Sequence, residues 1–144
     1  SDKVSQITLE SLFEQLDILN VNIAGTILKP SMVISGDKNK NRADTQTVAE
    51  MTLNRLVESC PSNLGGIAFL SGGQSDEEAT EHLNIMNKNK SELPWRVTFS
   101  YARAIQQSAL NHWRGKDDNA AKAQEILKNR ARLCSEASIG SLTT

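Results

Sequence analysis

Apolar residues recur along the chain in stripes of helical spacing separated by short β-branched runs. Leu9, Leu12, Phe13 and Leu16 fall at i, i+3, i+4 and i+7, one face of an amphipathic helix. The run VNIAGTIL follows at once and predicts a strand. Residues 31–46, SMVISGDKNKNRADTQ, are polar and aperiodic, and predict a connection of unusual length. Long connections in compact domains often carry function. Ala49, Leu53, Leu56 and Cys60 then mark a second helix, with Thr47 and Glu50 at capping-box spacing and Pro61 as its stop. The pattern repeats twice more. LGGIAFL leads into a helix with a capping box at Ser75 and Glu78 and a buried stripe of Ala79, Leu83 and Met86. Its acidic start (Asp76, Glu77, Glu78) and basic end (Lys88, Lys90) match the helix dipole. PWRVTFS leads into YARAIQQSALNHWRG, and a last helix places Ala123, Leu127, Ala131 and Cys134 on one face. SEASIGSLTT, about 135–144, predicts a mobile tail.

One helix, three strand-to-helix units and an extra helix predict an α/β fold with parallel strands joined by crossovers. Strands of this kind are buried on both faces. Three parallel strands alone leave both sheet edges open, so something has to cover them. Composition adds limits rather than detail. With 38% hydrophobic residues in 144, the chain can pack one core. Sixteen Lys plus Arg balance seventeen Asp plus Glu, so no net field draws the chain to nucleic acid or to an anionic membrane. No apolar run reaches the roughly 20 residues of a membrane helix, and no signal-peptide order is present, which predicts a soluble, cytosolic protein. Cys60 and Cys134 lack CxxC spacing and read as reduced packing residues, not as a disulfide framework or zinc site.

Three places on this frame carry chemistry. In FLSGGQS a strand ends at Ser71, Gly72 and Gly73 just before a capped helix, so a hydroxyl and unobstructed backbone N–H groups converge at a positive helix end. That arrangement cradles phosphate, although a tight turn that uses glycine for geometry alone has the same sequence. Without GK[ST] it is not a nucleoside-triphosphate loop. Ser100 and Arg103 follow the next strand, where an arginine grips an anion or simply stays solvated in a helix's first turn. Parallel strands bring both loops to one rim. Lys29 holds the equivalent rim position one unit earlier, followed by Pro30, which pushes it toward extended geometry. A lysine in water keeps its proton at neutral pH, so a nucleophilic role requires desolvation or a neighbouring cation. By itself Lys29 reads as a surface lysine; beside a phosphate cradle and an arginine it becomes a candidate Schiff-base nucleophile for a phosphorylated ketone. His82 and His112 lack metal-ligand spacing and read as surface or packing residues. The basic clusters DKNKNR (37–42) and KNRAR (128–132) read as solvated, and Trp95 and Trp113 as core or interface aromatics.

Together, GTILKPSMV, GIAFLSGGQSDEEAT and LPWRVTFSYARAIQQSALNHWRGK, with the Ala-rich helix after them, resemble the C-terminal part of class I fructose-bisphosphate aldolases over essentially the whole chain. The resemblance implies a (β/α)₈ TIM barrel of which residues 1–144 supply about the last three βα units and a C-terminal extra helix. It implies reversible cleavage of fructose 1,6-bisphosphate to dihydroxyacetone phosphate and glyceraldehyde 3-phosphate, with Lys29 forming the Schiff base. Ser71, Gly72, Gly73, Ser100 and Arg103 then hold the C1 phosphate, helped by the N–H of Ala102. No metal or other cofactor is implied. The partners implied are the sugar phosphate, the N-terminal barrel strands and further copies in a homotetramer, located in the cytoplasm or in a plastid. A whole barrel takes about 250 residues, so the acid and base groups are expected outside this stretch, and these residues alone are expected to lack turnover. The chain departs from the family in having Ala102 where glycine is usual and Ser31 where asparagine is usual, and its end lacks the tyrosine of the animal enzymes. A backbone contact at Ala102 requires a negative φ there. The alternatives are a noncatalytic phosphate-binding or interaction fragment, and another Schiff-base aldolase or a transaldolase.

Overall fold

The computed structural model describes residues 1–36, 38–88 and 93–143. Asp37 of the first basic cluster and Lys90 of the proposed basic helix end lie outside them. Helix α1 (Asp2–Ile18) is followed by a 3₁₀ turn at Ile23–Gly25 and strand β1 (Ile27–Leu28). Then come α2 (Thr45–Ser59), β2 (Gly66–Phe69), α3 (Asp76–Lys88), β3 (Val97–Phe99), α4 (Arg103–Trp113) and α5 (Ala120–Ala137). The strands form one parallel sheet in the order β1-β2-β3. The predicted order of elements and the α/β class hold.

Register explains the core. Leu28, Ile67 and Val97 lie in one cross-strand row and all three are buried, and Phe69 two residues on is fully enclosed. From the helix side, Ala79, Leu83 and Met86 meet them, each without exposed surface. Alternation along β1 leaves Ile27 61% exposed, and Ala68 and Thr98 form the next row on that opposite face, with Thr98 exposed. One sheet face is therefore covered by helices and the other is open.

Five sequence expectations are corrected. The strand predicted from VNIAGTIL shrinks to two residues, because a 3₁₀ turn takes its first half: Gly25 N donates to Asn22 O (3.1 Å), Thr26 N to Ile23 O (3.0 Å), and Thr26 Oγ1 to Asn22 O (3.0 Å). The cap of α2 is Asp44, not Thr47: its carboxylate accepts from Thr47 N (2.9 Å) and Thr47 Oγ1 (2.9 Å), while Glu50 pairs with Gln46. On α5 the buried positions are Ala123, Arg130, Cys134 and Ala137, whereas Leu127 and Ala131 face outward. Arg130 of the KNRAR cluster is thus enclosed, not solvated. The C-terminal residues read as a mobile tail are packed as far as Leu142, whose N–H donates to Asn84 Oδ1 (3.1 Å) and whose carbonyl accepts from Asn84 Nδ2 (3.1 Å). Gly140, at φ +70, lets this segment press on α3, since a Cβ there would meet the Asn87 carbonyl carbon at 2.9 Å.

The capping box of α3 forms as read: Ser75 N donates to Glu78 Oε2 (2.8 Å) and Glu78 N to Ser75 Oγ (3.1 Å). Both cysteines are buried and unbridged. Trp95 is a core residue whose indole N–H donates to Pro61 O (3.0 Å), while Trp113 stays 42% exposed beside α5.

Candidate active site

All three strands end at the same rim, and backbone hydrogen bonds tie their ends together. Leu70 N donates to Pro30 O (3.0 Å), and Ser100 N donates to Phe69 O (2.8 Å). The residue after Lys29 is thereby held against the residue before Ser71. Lys29 itself is exposed, in keeping with the alternation that exposes Ile27 and buries Leu28.

Ser71, Gly73 and Arg103 line one pocket of about 520 Å³, with Arg42, Gln74, Ser75, Asp76, Glu78 and Gln107 around it. Gly72 belongs to the same cluster: a Cβ placed on it would lie 3.7 Å from Arg103 Nη2 and 3.2 Å from Leu70 Cδ1. Gly73 adopts φ +78, which calls for glycine, and a Cβ there would also push the tip of the Ile34 side chain, 2.8 Å away, aside. Ser71 is buried, while Ser100 is exposed and, like Lys29, lies outside that pocket's lining. The structure thus gathers Ser71, Gly72, Gly73 and Arg103, and sets Lys29 and Ser100 on the flanking strand ends. The pocket's two acidic side chains are engaged inside the fold, Glu78 in the capping box and Asp76 by Ser108 Oγ (2.6 Å).

The α4 start differs from its neighbours. α2 and α3 carry side-chain caps, whereas Ala102 before α4 cannot cap, and first-turn N–H groups are left to find other partners. Ala102 has φ −102, a conformation open to any residue, so alanine in place of the family's glycine leaves the backbone undisturbed. First-turn N–H groups without a side-chain cap, a helix dipole and Arg103 together suit an anion.

Arg42 does more than its solvated cluster predicts. It is exposed, and its Nη2 donates to Gly73 O (3.0 Å) across the long connection. No local pattern announces that contact. His82 is a packing residue under the same loop: it is buried, and its Nδ1–H donates to Gln74 Oε1 (2.6 Å). His112 is exposed. Among the described residues, no group of three His, Cys, Asp or Glu side chains could hold a metal ion, and no helix is long and apolar enough to cross a membrane.

Burial pushes the His82 pKa below the ordinary imidazole value, against the smaller opposing pull of Glu78 and Glu81. A depressed folded-state pKa means that protonation favours the unfolded chain. The stability held by neutral His82 is therefore complete above about pH 6.5 and lost progressively as pH falls from there. Denaturant midpoints should decline below that pH, and His82→Gln should flatten the decline; an equally steep fall in the variant would assign it to other groups.

The family model for class-I fructose-bisphosphate aldolase matches residues 1–144. The cytoplasmic fructose-bisphosphate aldolase isozyme of Spinacia oleracea is 44% identical over 138 residues, 96% of this chain and 38% of that protein. A probable class 1 fructose-bisphosphate aldolase of Xanthomonas campestris is 49% identical over 140 residues, 96% of this chain and 41% of that protein. A crystal structure of fructose-bisphosphate aldolase from Plasmodium falciparum, in complex with TRAP and a small-molecule inhibitor, superposes with a TM-score of 0.91 at 42% identity, over 99% of this chain and 41% of that one. The chain spans about two fifths of the length of the relatives it matches. On sequence and on structure, the chain belongs to the class-I fructose-bisphosphate aldolase family.

Proposed function

We propose that these residues are the lysine-bearing and phosphate-holding part of an enzyme that reversibly cleaves fructose 1,6-bisphosphate through an imine on Lys29. The observation that carries this reading is the bond from Leu70 N to Pro30 O at 3.0 Å, which seats the lysine strand beside the Ser71–Gly73 loop. A ketose phosphate anchored at that loop by its C1 phosphate would have its C2 carbonyl one strand away, about 4.8 Å in the hydrogen-bonding direction. The Lys29 amine adds to C2 and water leaves, giving a protonated imine. Loss of the C4 hydroxyl proton then sends the C3–C4 bonding electrons into that imine, releasing glyceraldehyde 3-phosphate. Protonation at C3 and hydrolysis return dihydroxyacetone phosphate and the free amine. Ser71, Gly72, Gly73, Ser100, Arg103 and the N–H of Ala102 hold the phosphate throughout.

The proton-moving groups and the second phosphate site belong to the other strands of an eight-stranded barrel, which would also cover the open sheet face and desolvate Lys29. We place the assembly, a homotetramer, in the cytoplasm; relatives with chloroplastic names make a plastid the other location. Treating the full-length chain with dihydroxyacetone phosphate and borohydride, then mapping the adduct by mass spectrometry, is expected to mark Lys29 alone. An adduct on a different lysine, or none, sinks the mechanism.

A further inference from the structure

Arg130 is the only buried Lys, Arg, Asp or Glu side chain among the described residues. Its Nε donates to Ala104 O (3.0 Å), and its Nη2 donates to Asp76 O (2.6 Å) and Thr80 Oγ1 (2.6 Å). Asp76 opens α3 just past Gly73, and Ala104 stands next to Arg103 at the start of α4. One guanidinium on α5 therefore grips the first turns of both helices that follow the phosphate loops. Direct ties also join α3 to the α4 region, Ser108 Oγ to Asp76 Oδ2 (2.6 Å) and Tyr101 OH to Ala79 O (2.8 Å), but Arg130 grips both helix starts at once from a third element.

The charge itself is unusual. None of the ion pairs among the described residues includes Arg130, so its hydrogen-bond partners are neutral oxygens. Burying a cation strips it of water at a cost in free energy, and here the charge also sits at the positive ends of two helix dipoles. Three hydrogen bonds offset part of that cost. An anion seated between the Ser71–Gly73 loop and Arg103 would offset more of it, and would be bound more tightly in return.

We propose that Arg130 is a positioning residue of the phosphate site: it fixes the starts of α3 and α4 relative to each other, so that the glycine loop and Arg103 converge on one phosphate, and its charge strengthens the field there. This rests on the reading above and adds a residue to it. The test compares Lys29 trapping by borohydride in the full-length chain with dihydroxyacetone phosphate and with unphosphorylated dihydroxyacetone. In Arg130→Met, the dihydroxyacetone phosphate concentration for half-maximal trapping should rise about tenfold, with that for dihydroxyacetone unchanged within about twofold. Arg130→Lys, which keeps the charge and loses the planar fork, should recover part of the loss. An equal loss for both ketones means a merely structural role and overturns the proposal, as does no loss for either. If Arg130→Met does not fold, the same comparison is read from Arg130→Lys. Should the wild type trap neither ketone at Lys29, the catalytic reading fails, and the proposal is then decided by calorimetry with inorganic phosphate, where a Kd unchanged by the substitution overturns it.

Discussion

Lys29→Arg is expected to abolish turnover in the full-length chain while leaving the fold intact. Arginine matches lysine in charge and approximates its length, so the local field and the strand end change little. Its guanidinium does not lose a proton in a protein, however, and offers no free amine to attack a carbonyl. With Lys29 as the proposed nucleophile, its loss removes the covalent route, and the fall in kcat should be at least about a thousandfold. Lys29 is exposed among these residues, but the other barrel strands would cover it, so the bulkier arginine has to fit where lysine did, at a cost of about 1 kcal/mol. The thermal midpoint should therefore fall by no more than a few degrees, and phosphate binding at the neighbouring loop should persist. Steady-state rates, borohydride trapping and a melting curve on one preparation check all three expectations. A variant that retains a tenth of the wild-type rate would show that Lys29 does not carry the imine.

What could be read in advance divides by the range of the contacts involved. The unit built from LGGIAFLSGGQSDEEAT was legible because its determinants are neighbours in sequence: the paired glycines, the Ser75 and Glu78 spacing, and a stripe with no exposed surface. The first strand is shorter than its composition suggests because a two-residue edge strand is fixed by its pairing to β2, while the 3₁₀ turn closed by Thr26 takes the rest. The packed C-terminal segment depends on Asn84, 58 residues away from Leu142, and no local signal reaches so far. Arg130 was legible in principle. It lies seven residues after Ala123 and four before Cys134, on the buried stripe, and only the basic residues on either side of it in KNRAR mask that period. In the site, the gathering of Ser71, Gly72, Gly73 and Arg103 followed from parallel strands alone, since those put successive loops on one rim. The Arg42 contact with Gly73 did not, because it spans a 31-residue separation through an aperiodic connection. For Lys29 the strand pattern gave a place at the rim, and its role came only from the family resemblance.

Arg103→Ala is expected to raise KM for fructose 1,6-bisphosphate about a hundredfold, with the phosphate as the cause. The side chain is exposed, and its Nη2 stands beside Gly72, so nothing in the core depends on it. Of the two arginines that line the pocket, Arg42 is occupied at Gly73 O, which leaves Arg103 as the movable one. A phosphate bound there would accept a bidentate, charge-assisted grip from Arg103, which the uncapped N–H groups of α4 alone cannot replace. Arg103→Lys keeps the charge but loses the fork, and should fall between wild type and alanine. Two further readouts tie the loss to phosphate. Raising the salt concentration should weaken wild-type binding more than binding by Arg103→Ala, because screening acts on the charge that the variant has lost. Trapping of unphosphorylated dihydroxyacetone at Lys29 should be the same in both. A KM that does not move, or an equal loss for the ketone without phosphate, would remove Arg103 from the phosphate site and leave the Ser71–Gly73 loop as its only support.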